Sequence, residues 1–157
     1  SKTYAMTGFR VGYAYGPREL ISSLALAHQF LVACVDGPAQ YAALAALEGP
    51  QEFVGEMVSE FDRRRRFLCA RLNEIEGFRC ALPKGAFYAF ANIKAFGVSS
   101  ERFAEHLVNR GRVVSVPGSS FGRYGEGYVR FSYAAAYSQI VEALERIERA
   151  VKEFKRL

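Results

Sequence analysis

Apolar residues recur at helical spacing in two long stretches of the chain. The first follows Gly49-Pro50 and continues to about residue 75, and the second covers about 137–156. Intervals of three, four and seven residues between the apolar positions indicate one buried stripe on each helix. The stripes consist of Phe53, Met57, Phe61, Leu68, Leu72 and Ile75 in the first stretch, and of Ile140, Leu144, Ile147, Val151 and Phe154 in the second.

Three shorter helices are predicted, at about 17–33, 38–47 and 100–109. Pro17 at a first helical position with Glu19 in the first turn is a favourable start. Proline has no N–H to satisfy there, and an acidic group complements the helix dipole. Ser99 or Ser100 is expected to cap the third helix. Gly77 is expected to end the long helix, because glycine readily adopts the left-handed cap conformation.

Four strands are predicted, at about 9–15, 86–93, 113–116 and 127–133. The last three alternate with helices and indicate a compact α+β unit in which helices cover a small sheet. The strand at 9–15 has no predicted neighbour, and an isolated strand would leave its backbone N–H and C=O groups unpaired. The front of the chain therefore reads as part of a larger unit.

The composition is that of a globular protein. Half of the 157 residues are hydrophobic and 24% are charged, and no apolar run approaches the roughly 20 residues that span a bilayer. Cys34, Cys69 and Cys80 are odd in number and widely spaced, which argues against a disulfide framework or a zinc site. Reduced, mostly buried thiols in a cytoplasmic protein are the better interpretation.

The net charge of +5 raises the possibility of nucleic-acid binding, with the run 63–66 (RRRR) as the obvious patch. In a helix, however, four successive residues point around most of the circumference and form no basic stripe. A solvated helix surface or domain-interface salt bridges are therefore favoured. His28 and His106 lie in predicted helices without a partner cluster, so surface or packing roles are favoured over metal binding.

Lys2 and Arg10 are the first residues that suggest chemistry. A primary amine can hold an aldehyde cofactor as an imine and later move protons at the substrate's α carbon. A guanidinium can take a phosphate through two parallel charge-assisted hydrogen bonds. Thr7-Gly8 lies between them and allows a turn that would point both side chains into one pocket. Without further context, a surface lysine and a strand-edge arginine are the more frequent outcomes.

Arg130 is the third candidate. In the predicted strand 127–133 (GYVRFSY), it shares one face with Tyr128 and Ser132, and the intervening residues form the other face. An arginine in mid-strand beside aromatic residues is poorly solvated and needs an anion. A structural salt bridge is one way to supply it, and a substrate carboxylate held at two points is another.

The segment SKTYAMTGFRVGY (1–13) resembles the cofactor-lysine segment of the pyridoxal-phosphate (PLP) aminotransferases of fold type I, class I/II. Four further segments resemble the family in the same order, so the resemblance covers essentially the whole chain. They are AQYAALAAL (39–47), PKGAFYAFANI (83–93), VPGSSFG (116–122) and GEGYVRFSYA (125–134). The resemblance implies an α/β fold, with 1–52 as the C-terminal edge of the large PLP-binding domain and 53–157 as a small α+β domain.

The resemblance also implies roles for single residues. Lys2 would be the catalytic lysine that holds PLP, and Arg10 would bind the PLP phosphate. Arg130 would bind the α-carboxylate of the substrate, and Phe121 would line that site, although packing alone is equally plausible for it. In the family a hydroxyl residue three positions before the lysine also binds the phosphate. That position precedes Ser1, so Ser1 does not inherit the role.

The function implied is PLP-dependent transfer of an amino group from an amino acid to a 2-oxo acid. We expect a cytoplasmic homodimer for the full-length enzyme, with no nucleic-acid or membrane partner. Because Lys2 has almost no chain before it, we expect this chain to be the C-terminal part of the enzyme and inactive alone. A related PLP lyase or synthase, an aminotransferase-like domain of a transcription regulator, and a folding or dimerisation piece without chemistry remain open.

Overall fold

The computed structural model describes residues 1–154, which form two compact units. The first unit comprises Ser1–Met57, and the second begins at Val58. The domain boundary expected between residues 52 and 53 stays a prediction, because compactness does not show to which larger domain a unit belongs. No helix within residues 1–154 is both long and apolar enough to cross a membrane.

The first unit is helical. It contains α1 (Arg18–Val32), α2 (Gly37–Glu48) and the beginning of α3 (Glu52–Glu74), which confirms the helices predicted there. Asp36 caps α2, because its carboxylate accepts a hydrogen bond of 3.0 Å from the Ala39 N–H. Proline at the first turn adds a residue whose backbone is already suited to the helix. No residue of α1 is buried.

The predicted strand at 9–15 is wrong. Thr7–Phe9 forms a turn of 3-10 helix, and Arg10 follows in the left-handed conformation with φ of 52°. Residues 10–17 then run without regular structure. A strand needs a neighbouring strand to pair with its backbone, and the described first unit contains none.

The second unit is built on a four-stranded antiparallel sheet with the order β1-β2-β4-β3. The strands are β1 (Arg79–Cys80), β2 (Tyr88–Asn92), β3 (Val116–Pro117) and β4 (Tyr128–Ser132). The helices are the rest of α3, then α4 (Ser100–His106) and α5 (Tyr137–Phe154). Residues 155 and 156 of the predicted last helix lie outside the described residues. Ser99 caps α4 by accepting from the Arg102 N–H, as predicted.

The strand predicted at 113–116 is mostly wrong, since only Val116 of that range belongs to β3. After α4 the chain forms one π-helical turn, Leu107–Gly111, and the N–H of Val113 donates to the carbonyl oxygen of Leu107 at 3.1 Å. The backbone at Val113 is thus hydrogen-bonded to the π-helical turn and does not pair with the sheet.

The core of the second unit lies between the inner face of the sheet and the helices. That inner face consists of Ala89, Ala91, Val129, Phe131 and Tyr133, all at most 5% exposed. The buried stripe of α3 includes Leu68, Leu72 and Ile75, and that of α5 includes Ile140, Leu144, Ile147 and Val151, as predicted. The side chain of Phe154 lies outside those described.

The predicted α3 stripe does not extend into the first unit. Phe53 is 44% exposed, and its ring contacts Tyr4 at a centroid distance of 6.2 Å. Met57 is half-buried, and Phe61 packs against the core from a partly buried position. The apolar residues of α3 therefore keep helical spacing along the whole helix, but only those in the second unit pack into a core.

Asn73 fastens the end of α3 to the edge strand β1. Its amide nitrogen donates to the carbonyl oxygens of Cys69 and Cys80, both at 2.9 Å, and its amide oxygen accepts from the Cys80 N–H at 2.8 Å. The thiols of Cys69 and Cys80 are buried and free, with 3.7 Å between the sulfurs, whereas Cys34 is exposed. The expected buried thiols thus hold for two of the three cysteines. Gly77 lies in the turn between the end of α3 at Glu74 and the start of β1, and its φ is 103°.

Replacing Asn73 by alanine is expected to lower the free energy of unfolding by about 1–2 kcal/mol, because three hydrogen bonds to backbone groups are lost. The measurement is the urea midpoint of the full polypeptide at constant slope. Asn109→Ala serves as the control, since Asn109 is exposed. Equal effects of the two substitutions would show that the Asn73 bonds add nothing.

Candidate functional site

Lys2 begins a tight turn at the start of the first unit. The carbonyl oxygen of Lys2 accepts from the Ala5 N–H at 3.2 Å, and that of Ser1 accepts from the Met6 N–H at 2.9 Å. Met6 is buried, so the turn is anchored at one end while the lysine side chain is exposed. Among the described side chains, residues 1–152, no hydrogen bond or ion pair engages the Lys2 amine.

Arg10 closes the next turn of the chain. Its guanidinium donates to the carbonyl oxygen of Thr7 at 2.9 Å, which fits the left-handed backbone at this position. The side chain is exposed, and no carboxylate of the described chain pairs with it. The remaining N–H groups of the guanidinium are therefore free for an anion.

A cleft of about 870 Å³ lies in the first unit next to these residues. Its lining includes Ser1, Thr3, Tyr13, His28, Cys34 and Leu44. Lys2 and Arg10 are not part of this lining, so the cleft assigns no role to either residue. That both side chains share one pocket stays a prediction.

Arg130 projects from β4 on the outer face of the sheet, directly opposite Phe90 of β2. Its guanidinium carbon lies 4.2 Å from the centre of the Tyr88 ring and 4.6 Å from that of Phe121. Aromatic faces attract a guanidinium without using its N–H donors. No ion pair with Arg130 occurs in the described part of the chain, so the alternative of a structural salt bridge finds no partner there.

The surroundings of Arg130 are aromatic. The Phe90 ring stacks on Tyr128 at 5.1 Å and meets the edge of Phe121 at 5.8 Å. The Lys94 ammonium lies 5.3 Å from the centre of the Tyr128 ring. This surface presents positive charge on an apolar floor, where a carboxylate is bound more strongly than in open water.

Tyr88 was not among the residues predicted from the sequence. The alternation of β2 places Tyr88 and Phe90 on one face, and the register with β4 brings that face to Arg130. The sequence AFYAFANI shows which residues of β2 share a face, but it does not show which residues of β4 lie opposite them. Phe121, in contrast, was named from the resemblance, and it lies against the Arg130 guanidinium.

Glu126 and Ser100 form a second cluster that the sequence did not reveal. The Glu126 carboxylate accepts from the N–H and from the hydroxyl of Ser100, both at 2.8 Å. These two hydrogen bonds, and a further one from the Gly127 N–H, hold the pKa of Glu126 below its ordinary value. Ser100 is fully buried at the start of α4.

Each arginine of the run 63–66 forms an ion pair within α3. Glu60 pairs with Arg63 and Arg64, and Asp62 pairs with the next two arginines. Hydrogen bonds from Arg63 and then Arg64 lower the pKa of Glu60. The four arginines thus share two carboxylates of the same helix, and the run keeps a net positive charge.

His106 and His28 show no sign of metal binding. A ring nitrogen of His106 lies 2.8 Å from the carbonyl oxygen of Ala150, and His28 is exposed. Among the described residues, no group of three or more His, Cys, Asp or Glu side chains could hold a metal ion.

Comparison with known proteins is decisive for the family. The sequence model of the family "Aminotransferase class I and II" matches residues 1–147. The chain belongs to the class I and II aminotransferases. Its relatives include an aspartate aminotransferase of Pyrococcus horikoshii, 42% identical over 97% of this chain. Another is an aromatic-amino-acid aminotransferase of Thermococcus litoralis, 44% identical over 99% of it.

Solved structures of aminotransferases have the same fold. The aromatic aminotransferase from Pyrococcus horikoshii matches with a TM-score of 0.94 and 45% identity over 100% of this chain and 42% of its own. The aspartate aminotransferase from Rhizobium meliloti matches with a TM-score of 0.90 and 38% identity over 96% of this chain and 40% of its own. This confirms the α/β fold of type I expected from the sequence.

The chain spans only part of the length of these relatives. It covers 39% of the Pyrococcus horikoshii aspartate aminotransferase and 40% of the Thermococcus litoralis enzyme. Membership of the family therefore does not by itself assign to this chain the activity, substrates or assembly of the complete relatives.

The Glu126–Ser100 contact predicts a pH dependence. A carboxyl whose pKa is lowered by folding stabilises the fold above its unfolded pKa of about 4.3, and this contribution is lost as the pH falls. We therefore expect wild-type protein to lose more stability between about pH 5 and pH 3 than Glu126→Gln. The measurement is the urea midpoint of both proteins over this range. Parallel curves for the two proteins would contradict the expectation.

Proposed function

We propose that the polypeptide that carries this sequence transfers an amino group from an amino acid to a 2-oxo acid, with PLP as its cofactor. The observation that carries the proposal is the Arg130 guanidinium, which lies against the rings of Tyr88 and Phe121 and has no carboxylate partner among the described side chains, residues 1–152. A buried or half-buried guanidinium without a counterion is suited to receive one from a ligand. Membership of the aminotransferase family supports a carboxylate-bearing amino acid as that ligand.

The residues of the first unit have the donor chemistry that PLP requires. Lys2 supplies a free primary amine for the aldehyde, and Arg10 supplies unpaired N–H donors for the phosphate. Bound PLP would supply an electron-accepting ring that stabilises negative charge at the substrate's α carbon. We propose that the Lys2 amine holds the cofactor and then takes up and returns the proton at that carbon.

Arg130 would contribute by orientation. Two parallel N–H donors fix the plane and direction of a carboxylate, whereas an ammonium group fixes only its distance. A substrate held in this way presents one bond of its α carbon for cleavage, which is a positional contribution to the rate. Phe121 would cover one side of the guanidinium and exclude water from the pair.

We further propose a homodimeric, cytoplasmic enzyme. Support for association comes from α1, whose residues are all unburied although they include Leu24, Phe30 and Leu31. Large apolar side chains exposed together on one helix mark a surface that other protein covers, whether a second subunit or the rest of the polypeptide. We propose no nucleic-acid partner, because arginines 63–66 follow one another along α3 and so point around most of its circumference instead of forming one basic stripe.

Replacing Lys2 by alanine in the full polypeptide is expected to lower the rate of amino transfer by at least about 10³-fold, because no other described group is proposed to move the proton. Borohydride reduction in the presence of PLP should label the peptide that contains Lys2 in the wild type and not in the variant. Lys84→Ala is the control, since Lys84 is an exposed lysine of the second unit. A labelled peptide elsewhere, or full activity of Lys2→Ala, would refute the proposal.

Arg130→Lys is expected to raise KM for the amino acid by roughly tenfold to a hundredfold, since the positive charge remains while the paired N–H donors are lost. Steady-state kinetics with saturating 2-oxo acid measures the change. The exposed Arg110 provides the matched control Arg110→Lys. An unchanged KM in Arg130→Lys would remove Arg130 from the substrate site.

A further inference from the structure

Phe121 lies against Arg130 although the residue is 49% exposed. The ring centre is 4.6 Å from the guanidinium carbon, and the ring meets Phe90 edge to face at 5.8 Å. A ring that is packed on one side only is not held in place by the core. Its position therefore depends on the backbone that carries it.

That backbone is a turn of 3-10 helix, Gly118–Phe121, fastened to the start of α4. The N–H of Ser119 donates to the Ser100 hydroxyl at 3.3 Å, and the Ser119 hydroxyl donates to a Glu101 carboxylate oxygen at 3.0 Å. At its base the turn is closed by Gly118 and Gly125, where a Cβ on either residue would overlap the carbonyl oxygen of the other.

The Glu126 carboxylate determines the direction in which the Ser100 hydroxyl donates its hydrogen. This hydroxyl has a single hydrogen, and it donates that hydrogen to the Glu126 carboxylate at 2.8 Å. An ionised carboxylate only accepts, so the hydroxyl must donate to it and turns its lone pairs toward the Ser119 N–H. The second carboxylate oxygen accepts from the Ser100 N–H at 2.8 Å, which fixes the carboxylate itself. Ser100 is fully buried, so its hydroxyl is shielded from water, whereas the Glu126 side chain is exposed.

We propose that Glu126 is a positioning residue which, through Ser100, holds Phe121 over the Arg130 guanidinium and so keeps that guanidinium ready for the substrate carboxylate. The inference rests on the proposed role of Arg130. It adds a residue that touches neither Arg130 nor a ligand. Glu126→Gln is the informative change, because the amide keeps the size of the side chain and reverses one acceptor to a donor. The amide then donates to the Ser100 hydroxyl, whose own hydrogen must turn elsewhere, and this rotation changes the lone pair that faces the Ser119 N–H.

The first experiment follows the turn directly by amide hydrogen exchange of the full polypeptide. Glu126→Gln and Ser100→Ala are expected to speed exchange in the segment 118–122 by about tenfold, since Ser100→Ala removes the acceptor of the Ser119 N–H and Glu126→Gln changes the direction in which that acceptor's lone pairs point. Glu105→Gln is the control, because Glu105 is an exposed carboxylate of the same helix. Using two variants keeps the test decisive if one of them folds poorly.

The second experiment asks whether the turn acts on substrate binding through Phe121. Glu126→Gln is expected to raise KM for the amino acid about tenfold while kcat changes by less than about twofold, because only carboxylate binding is disturbed. In a Phe121→Ala background the same change should have little further effect, since the ring that it positions is gone. A purely structural role would lower stability without this loss of additivity.

The outcomes separate the inference from the function on which it rests. Unchanged exchange in the segment 118–122 overturns the inference, and so does faster exchange with an unchanged KM in an active enzyme. Additive effects of Glu126→Gln and Phe121→Ala on KM overturn it as well. If wild-type protein transfers no amino group, the proposed function fails, and the exchange experiment still decides whether Glu126 holds the turn.

Discussion

The antiparallel pairing of β2 with β4 is the constraint on which the second unit depends. In this register Phe90 faces Arg130 and Ala91 faces Val129. Alternation along both strands sends Ala91 and Val129 into the core and leaves Arg130 on the other face. A slip of one residue would exchange the two faces and bury a guanidinium without a counterion, at a cost of several kcal/mol. The same hydrogen-bond ladder thus builds the core and presents the arginine.

The spacing of apolar residues along the sequence was sufficient to predict which residues are buried in the core of the second unit. The apolar spacing of α5 identified Ile140, Leu144 and Ile147 as buried, because a helix face is fixed by residues three and four positions apart. The same reasoning placed Arg130 and Val129 on opposite faces of a strand. Such predictions need no knowledge of which element lies alongside, and for that reason they held.

Pattern failed where the outcome depends on distant parts of the chain. The alternation at 9–15 is compatible with a strand, but a strand needs neighbours, and the described first unit supplies none. The bond from Ser100 to Glu126 joins residues 26 positions apart, and Tyr88 reaches Arg130 only through the register of two strands. Lys2 and Arg10 were found by resemblance, since neither spacing nor residue type distinguishes them from surface residues.

The contact between Gly118 and Gly125 has a consequence for how this surface can evolve. Both positions exclude even a methyl group, so any chain that keeps this close approach needs glycine at both. The side chains of Ser120, Phe121 and Tyr124, between the two glycines, are exposed instead. Substitutions at these exposed positions can change what the loop offers to a visiting molecule without adding an atom to the glycine contact.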